Sequence, residues 1–279
     1  MSSPWLLLTK NNDEYIERFS RGVGQPVCDL EHYRFDTVSD TVIVLRGIMK
    51  HKLIKQFWQA EQNFVYMDSG YLGNRPNPKN PHGWKVWHRM VINNIQHSNL
   101  VERPNDRWKR LGLELNNRRP GKKILLVAPD QKPCKFYGID LDLWIRATVE
   151  QIQQHSDRPI EIRVRHSNVI KLNRNTAESF HTALQDDVGV VVTYNSVAAV
   201  ESIMHGVPVV ALAPATAADP VASKTLDSVD DPFWPDKDLR YRWACHLAYA
   251  QFHNNELEDG TAARQLLQDL GQGYFSHGK

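Results

Sequence analysis

The chain has 279 residues, 41% hydrophobic and 24% charged, with a formal net charge of +2. That length accommodates two compact domains with substantial cores, and the composition excludes a disordered or fibrous chain. No apolar run approaches the length of a membrane span. The opening "MSSPWLLLTKNNDEY" lacks the basic start and longer apolar stretch of a secretory signal, so no membrane span and a cytoplasmic location are expected.

The three cysteines, Cys28, Cys134 and Cys245, are odd in number and far apart, which gives neither a disulfide framework nor a metal pair by local spacing. Reduced, mostly buried thiols are expected. The histidines are scattered without HxxxH or CxxC, so no metal site is expected. Charge is uneven: "ERPNDRWKRLGLELNNRRPGKK", residues 102 to 123, holds eight basic residues against three acidic ones. Such a stretch suits either a phosphate-binding patch or a solvated face.

In chain order, "PWLLLTK" reads as a first strand and "NNDEYIERFSRG" as a helix capped by Asn or Asp and closed near Gly22. "TVIVLRG" is a buried strand, "MKHKLIKQFWQAEQ" a basic amphipathic helix and "FVYMDSGYLG" a strand entering a turn, together one βαβ unit. "NRPNPKNPHG" excludes regular structure. The alternation of "GWKVWHRMVINN" predicts a half-exposed strand, with Trp84, Val86 and His88 on one face and Lys85, Trp87 and Arg89 on the other. From there strands at 123 to 128, 159 to 165, 188 to 193 and 207 to 212 alternate with helices at 140 to 154, 175 to 184 and 196 to 205. This order predicts a parallel sheet with helices on both faces. Helices near 237 to 253 and 260 to 270 bring no further strand.

The pattern divides the chain into an N-terminal α/β domain over residues 1 to 118, a second over 119 to 236, and C-terminal helices over 237 to 279 that pack across both. In parallel sheets, ligands gather outside the carboxyl ends of the strands. Asn195 and Ser196 in "VVTYNSVAAVESIMHGVPVVALAP" occupy such an end. A helix starting at Ser196 would turn its unpaired N–H groups towards a phosphate, although Ser196 also serves simply as a cap. Glu201, in an otherwise apolar helix, suits the paired hydroxyls of a ribose; a solvent-facing carboxylate is the plain alternative.

"TYNSVAAVESIMHGVPVVAL" resembles the donor-binding segment of GT-B glycosyltransferases. The resemblance implies an α/β fold of two Rossmann-like domains facing a cleft, with parallel sheets and C-terminal helices. It also implies that Asn195, Ser196 and the N–H of Val197 hold the diphosphate of a nucleotide-sugar donor, a UDP-sugar for preference, while Glu201 holds the ribose and Tyr194 is a further donor-binding candidate. Gly206 and Pro208 would be architectural. "IEIRVRHS" resembles the strand that brings basic groups to the donor phosphates in that fold. Arg163, Arg165 and His166 follow as candidates, with Lys171 in reach, and cations there would offset the leaving charge without an obligatory metal or other cofactor.

The resemblance does not extend over residues 1 to 118, where the acceptor and its base are expected. Asp68 is the first candidate base, because partial desolvation would bring a strand-end carboxylate to a useful pKa; in "DSG" it is equally a turn former. His88 is the second. Arg46, Tyr71, Trp84, Trp87 and Arg107 are candidate acceptor contacts. Lys50 to Lys55, the stretch after Arg103, and Trp58, Trp84, Trp87 and Trp108 together suit a nucleic acid, since cations contact phosphates and aromatics stack bases. In this the chain resembles, more loosely, phage-type glycosyltransferases that modify hydroxymethylated pyrimidines in DNA. That implies DNA as partner, a base that leaves the duplex, and a host cytoplasm. A cell-surface glycan or lipid-linked saccharide is the alternative acceptor, because tryptophans also form sugar platforms. An epimerase acting on the donor alone, or a non-catalytic nucleic-acid-binding protein on the same scaffold, are further alternatives.

Overall fold

A computed structural model describes residues 4–10, 12–48, 51–74, 86–164 and 179–275. It divides into two compact units. The first comprises residues 1 to 97, 103 to 107 and 246 to 279, and the second comprises 98 to 102 and 108 to 245.

In the first unit β1 (Trp5–Thr9) leads to α1 (Glu14–Val23), β2 (Val27–Asp29), β3 (Val42–Arg46), α2 (His51–Ala60), β4 (Phe64–Ser69) and β5 (Trp87–Ile92). Helix α1 begins where the Asp13 carboxylate accepts the N–H groups of Tyr15 and Ile16, and it ends at Gly24, whose φ of 64° only glycine adopts readily. It buries Ile16 and Phe19 against the sheet core formed by Leu7, Val44, Val65 and Met67. Strands β3 and β4 pair in parallel across α2, as the βαβ pattern predicts.

The second unit follows α3 (Asp106–Leu111) and is built from β6 (Lys123–Val127), α4 (Gln131–Tyr137), α5 (Leu141–Gln153), β7 (Ile160–Arg163), α6 (Phe180–Gln185), β8 (Val188–Thr193), α7 (Ala198–Met204) and β9 (Val209–Ala211). All four strands are parallel, in the order β7-β6-β8-β9. Their apolar runs pack as Ile124, Leu126, Val190, Val192 and Val210 against Ile145 and Ile152 of α5. Gly206 has φ 83°, and a Cβ there would lie 2.1 Å from the Asn117 carbonyl oxygen, so a side chain is excluded.

Helix α8 (Lys237–Tyr249) precedes β10 (Gln251–His253), α9 (Asn254–Glu258) and α10 (Thr261–Gly271). Here the structure departs from the sequence pattern: the tail does carry a strand, and β10 completes the first sheet in the order β10-β5-β4-β3-β1-β2. Strand β5 runs antiparallel to both β4 and β10. It is buried from His88 through Ile92, rather than half-exposed, because it lies inside the sheet with both faces covered. Cys134 and Cys245 are buried and Cys28 is exposed. Among the described residues no helix is long and apolar enough to cross a membrane.

Candidate functional site

The register of the second sheet sets Val127 level with Arg163 and Thr193, and Thr193 level with Ala211. Four strands therefore end in one row, locked by the Thr193 hydroxyl donating to the Val127 carbonyl at 2.9 Å. Arg163 closes one end of the row, half-buried, with its guanidinium 5.8 Å from the centre of the Phe180 ring. Tyr194, Asn195 and Ser196 leave it from the middle strand. Asn195 is 8% exposed, so the turn is packed.

Helix α7 starts at Ala198, two residues later than its sequence pattern predicts, and Val197 occupies the cap position without a side-chain cap. Ser196 Oγ instead accepts the Ala198 N–H at 3.1 Å. Its capping reading is therefore realised one residue further out. Glu201 lies on the open face of this otherwise buried helix. The protein around it pushes its carboxyl pKa up, and Arg163 is the charge that opposes the rise. Flanking protein and solvent access coexist here.

A further polar cluster beyond β9 carries no signal in the sequence. Thr216 Oγ1 donates to Asp219 at 2.6 Å, and Lys224 Nζ donates to Asp219 and to the Ala213 carbonyl, both at 2.6 Å. Ser223 pairs beside Val210, which brings Lys224 to the same edge of the sheet. Small residues in "APATAADPVASK" conceal this, since only tertiary pairing aligns them. Arg165, His166 and Lys171, expected at this edge, lie outside the described residues, as does Trp84 in the first unit.

In the first unit Asp68 and Arg89 are cross-strand partners. Arg89 Nη2 donates to Asp68 Oδ2 at 3.1 Å, the Tyr66 hydroxyl donates to the same oxygen at 2.7 Å, and the Ser69 N–H donates to Oδ1 at 2.8 Å. The Asp68 side chain remains 36% exposed. Burial pushes its pKa up, but Arg89, the Tyr66 hydroxyl and the Ser69 N–H together hold it below the usual carboxylate range. The expected rise by desolvation therefore does not occur.

Four other candidate side chains are buried. His88 is fully buried, with Nε2 3.0 Å from Asn254 Oδ1 and its ring 4.0 Å from that of Tyr15, so an acceptor hydroxyl has no access to it. Tyr71 is buried and donates its hydroxyl to Gln96 at 3.0 Å. Arg107, proposed from the basic stretch, is buried in an ion pair with Glu256; its neighbour Arg103 pairs with Asp269 at 2.6 Å. Trp108 is likewise buried, which removes it from any stacking surface. Arg46 pairs with Asp13 at 2.7 Å and lies over the Tyr15 ring, at 21% side-chain exposure. Trp87 is half-buried against His253. Among the described residues no group of three or more His, Cys, Asp or Glu side chains is placed to hold a metal ion.

No family model and no curated protein matches the sequence. Among solved structures, the fold is similar to that of the β-Kdo 2,4-transferase of Thermosulfurimonas dismutans KpsC, with a TM-score of 0.53 and 10% identity over 88% of this chain and 90% of that one. The β-Kdo 2,7-transferase of the same KpsC gives a TM-score of 0.50 and 10% identity over 94% and 99%. The chain thus has the α/β fold of these transferases, with parallel strands and covering helices, in agreement with the fold its sequence resembles.

Proposed function

We propose that this chain is a glycosyltransferase that moves a sugar from a nucleotide-activated donor to a hydroxyl of a glycan or lipid-linked saccharide. The observation that carries this reading is the row of four parallel strand ends bearing Arg163, Asn195, Ser196 and Glu201, on the fold of the two Kdo transferases. Ser196 and Arg163 hold the donor diphosphate, and Glu201 takes the ribose hydroxyls. In the reaction the acceptor oxygen bonds to the anomeric carbon as the bond from that carbon to the phosphate oxygen breaks. Arg163 offsets the charge that grows on the departing diphosphate. The acceptor proton passes to Asp68, whose pairing with Arg89 keeps it ionised and ready to accept.

A saccharide acceptor is favoured over DNA because two of the eight basic residues of the stretch are paired within the protein. Arg103 and Arg107 are taken up by Asp269 and Glu256, which leaves fewer cations for the phosphate contacts and the steep salt dependence that DNA binding requires. The sugar transferred is proposed to be a UDP-activated one, whose leaving group carries the diphosphate that Ser196 and Arg163 hold.

Equilibrium binding of UDP and CDP tests the donor site. Charge-assisted contacts contribute about 1.5–3 kcal/mol, so Arg163→Ala should weaken binding roughly ten- to a hundred-fold, with a smaller loss in Glu201→Ala. Unchanged affinity in both variants would remove the donor site from this edge.

A further inference from the structure

Three aromatic rings converge beside the strand row, and of them Trp144 also packs against the core. Tyr194 is the first residue past β8, Tyr137 ends α4 and Trp144 lies in the first turn of α5. The Tyr137 and Tyr194 ring centres are 5.0 Å apart at 76°, and those of Trp144 and Tyr194 are 6.2 Å apart at 85°. All three side chains stay half-buried, whereas Phe136, the neighbour of Tyr137 in the chain, is 1% exposed and belongs to the interior. Phe136 and Tyr137 are therefore sorted to different environments within a single helix turn.

We propose that Tyr137, Trp144 and Tyr194 form the subsite for the nucleobase of the donor, a planar ring stacked on aromatic side chains. This rests on the donor site proposed above and deepens it. Arg163 and Ser196 account for phosphate and Glu201 for ribose, but neither kind of group recognises a flat, uncharged heterocycle. Tyr194 directly precedes Asn195 and Ser196, and α4 follows β6, the strand next to β8 in the sheet. The aromatic trio is thus continuous with the polar turn, at the distance of one residue. Edge-to-face packing holds the rings at steep angles, which gives a rigid angled wall with little rotamer entropy left to lose. Stacking discriminates weakly among bases, because each presents a π face, so uridine, cytidine and adenosine nucleotides should all bind.

Calorimetric titration of the full chain with UMP, CMP, AMP and inorganic pyrophosphate tests this, paired with saturation-transfer NMR on the wild-type complex. Tyr194→Ala should weaken each nucleotide about ten-fold. Pyrophosphate affinity should stay unchanged, and Tyr194→Phe, which keeps the ring, should restore nucleotide binding. In the wild type the base protons should receive the strongest saturation. Nucleotide affinity unchanged in a folded Tyr194→Ala, or saturation confined to the ribose, would overturn the aromatic subsite while leaving the donor site standing. If Tyr194→Ala does not fold, the wild-type saturation pattern and Trp144→Ala decide in the same way. Absence of any nucleotide binding to the wild type would overturn both.

Discussion

Asp68 is held by three donors that favour its charged form: Arg89, the Tyr66 hydroxyl and the Ser69 N–H. Because its pKa is lowered, the carboxylate is ionised at every pH above the ordinary carboxylate range. Used as a base, it predicts turnover that stays flat from neutrality downward and falls only below about pH 4. Asp68→Asn should lower kcat by about a hundred-fold or more and leave the donor Kd unchanged. A thermal melt separates lost chemistry from lost pairing with Arg89; full turnover in a folded Asp68→Asn would end its role. The sequence exposed the residue and its strand end but not its partners, because Arg89 lies twenty-one positions away and only antiparallel pairing of β4 with β5 joins them. Asn195, Ser196 and Glu201 were legible for the opposite reason. Their placement is local, fixed by one strand, one turn and one helix.

At the scale of elements, the tail of the chain is secured to the first sheet by buried polar groups. Asp269 of α10 pairs with Arg103, and the His97 ring lies 5.6 Å from that of His246 in α8 and 5.6 Å from that of Phe275. Burial holds the His97 pKa well below its usual value, with His246, Arg89 and Arg103 adding to the effect; Tyr71, whose hydroxyl lies 3.3 Å from Nδ1, also faces the ring. The unfolded chain then binds a proton more readily than the folded one. Stability is complete above the unfolded histidine pKa of about 6.5 and declines as pH falls below it, by up to about 1.4 kcal/mol per pH unit for one proton. Urea unfolding at pH 7 and pH 5 should show that decline, and His97→Gln should reduce it; an identical acid slope in the variant would contradict the assignment. None of this was readable beforehand. A three-residue strand such as β10 carries no periodicity, and a basic stretch does not reveal that Asp269 and Glu256, far along the chain, pair with two of its arginines. Strands β6 and β8 were clear because parallel strands buried on both faces appear as unbroken apolar runs, KILLV and VGVVV.

For the whole molecule, the parallel order of the second sheet follows from strict strand–helix alternation, so the fold class could be read from the sequence. The choice of acceptor could not, since it depends on which charges the folded chain leaves exposed. The internal pairing of Arg103 and Arg107 is the observation behind the proposal of a saccharide acceptor. The most direct measurement is mass-detected transfer from a panel of UDP- and CMP-activated sugars, offered to oligosaccharides, lipid-linked saccharides and hydroxymethylated duplex DNA in parallel. The account predicts a sugar mass added to a saccharide, none added to any nucleoside, and loss of the product in Arg163→Ala. Transfer to the hydroxymethylated base, or neither transfer nor nucleotide release with any donor, would contradict it.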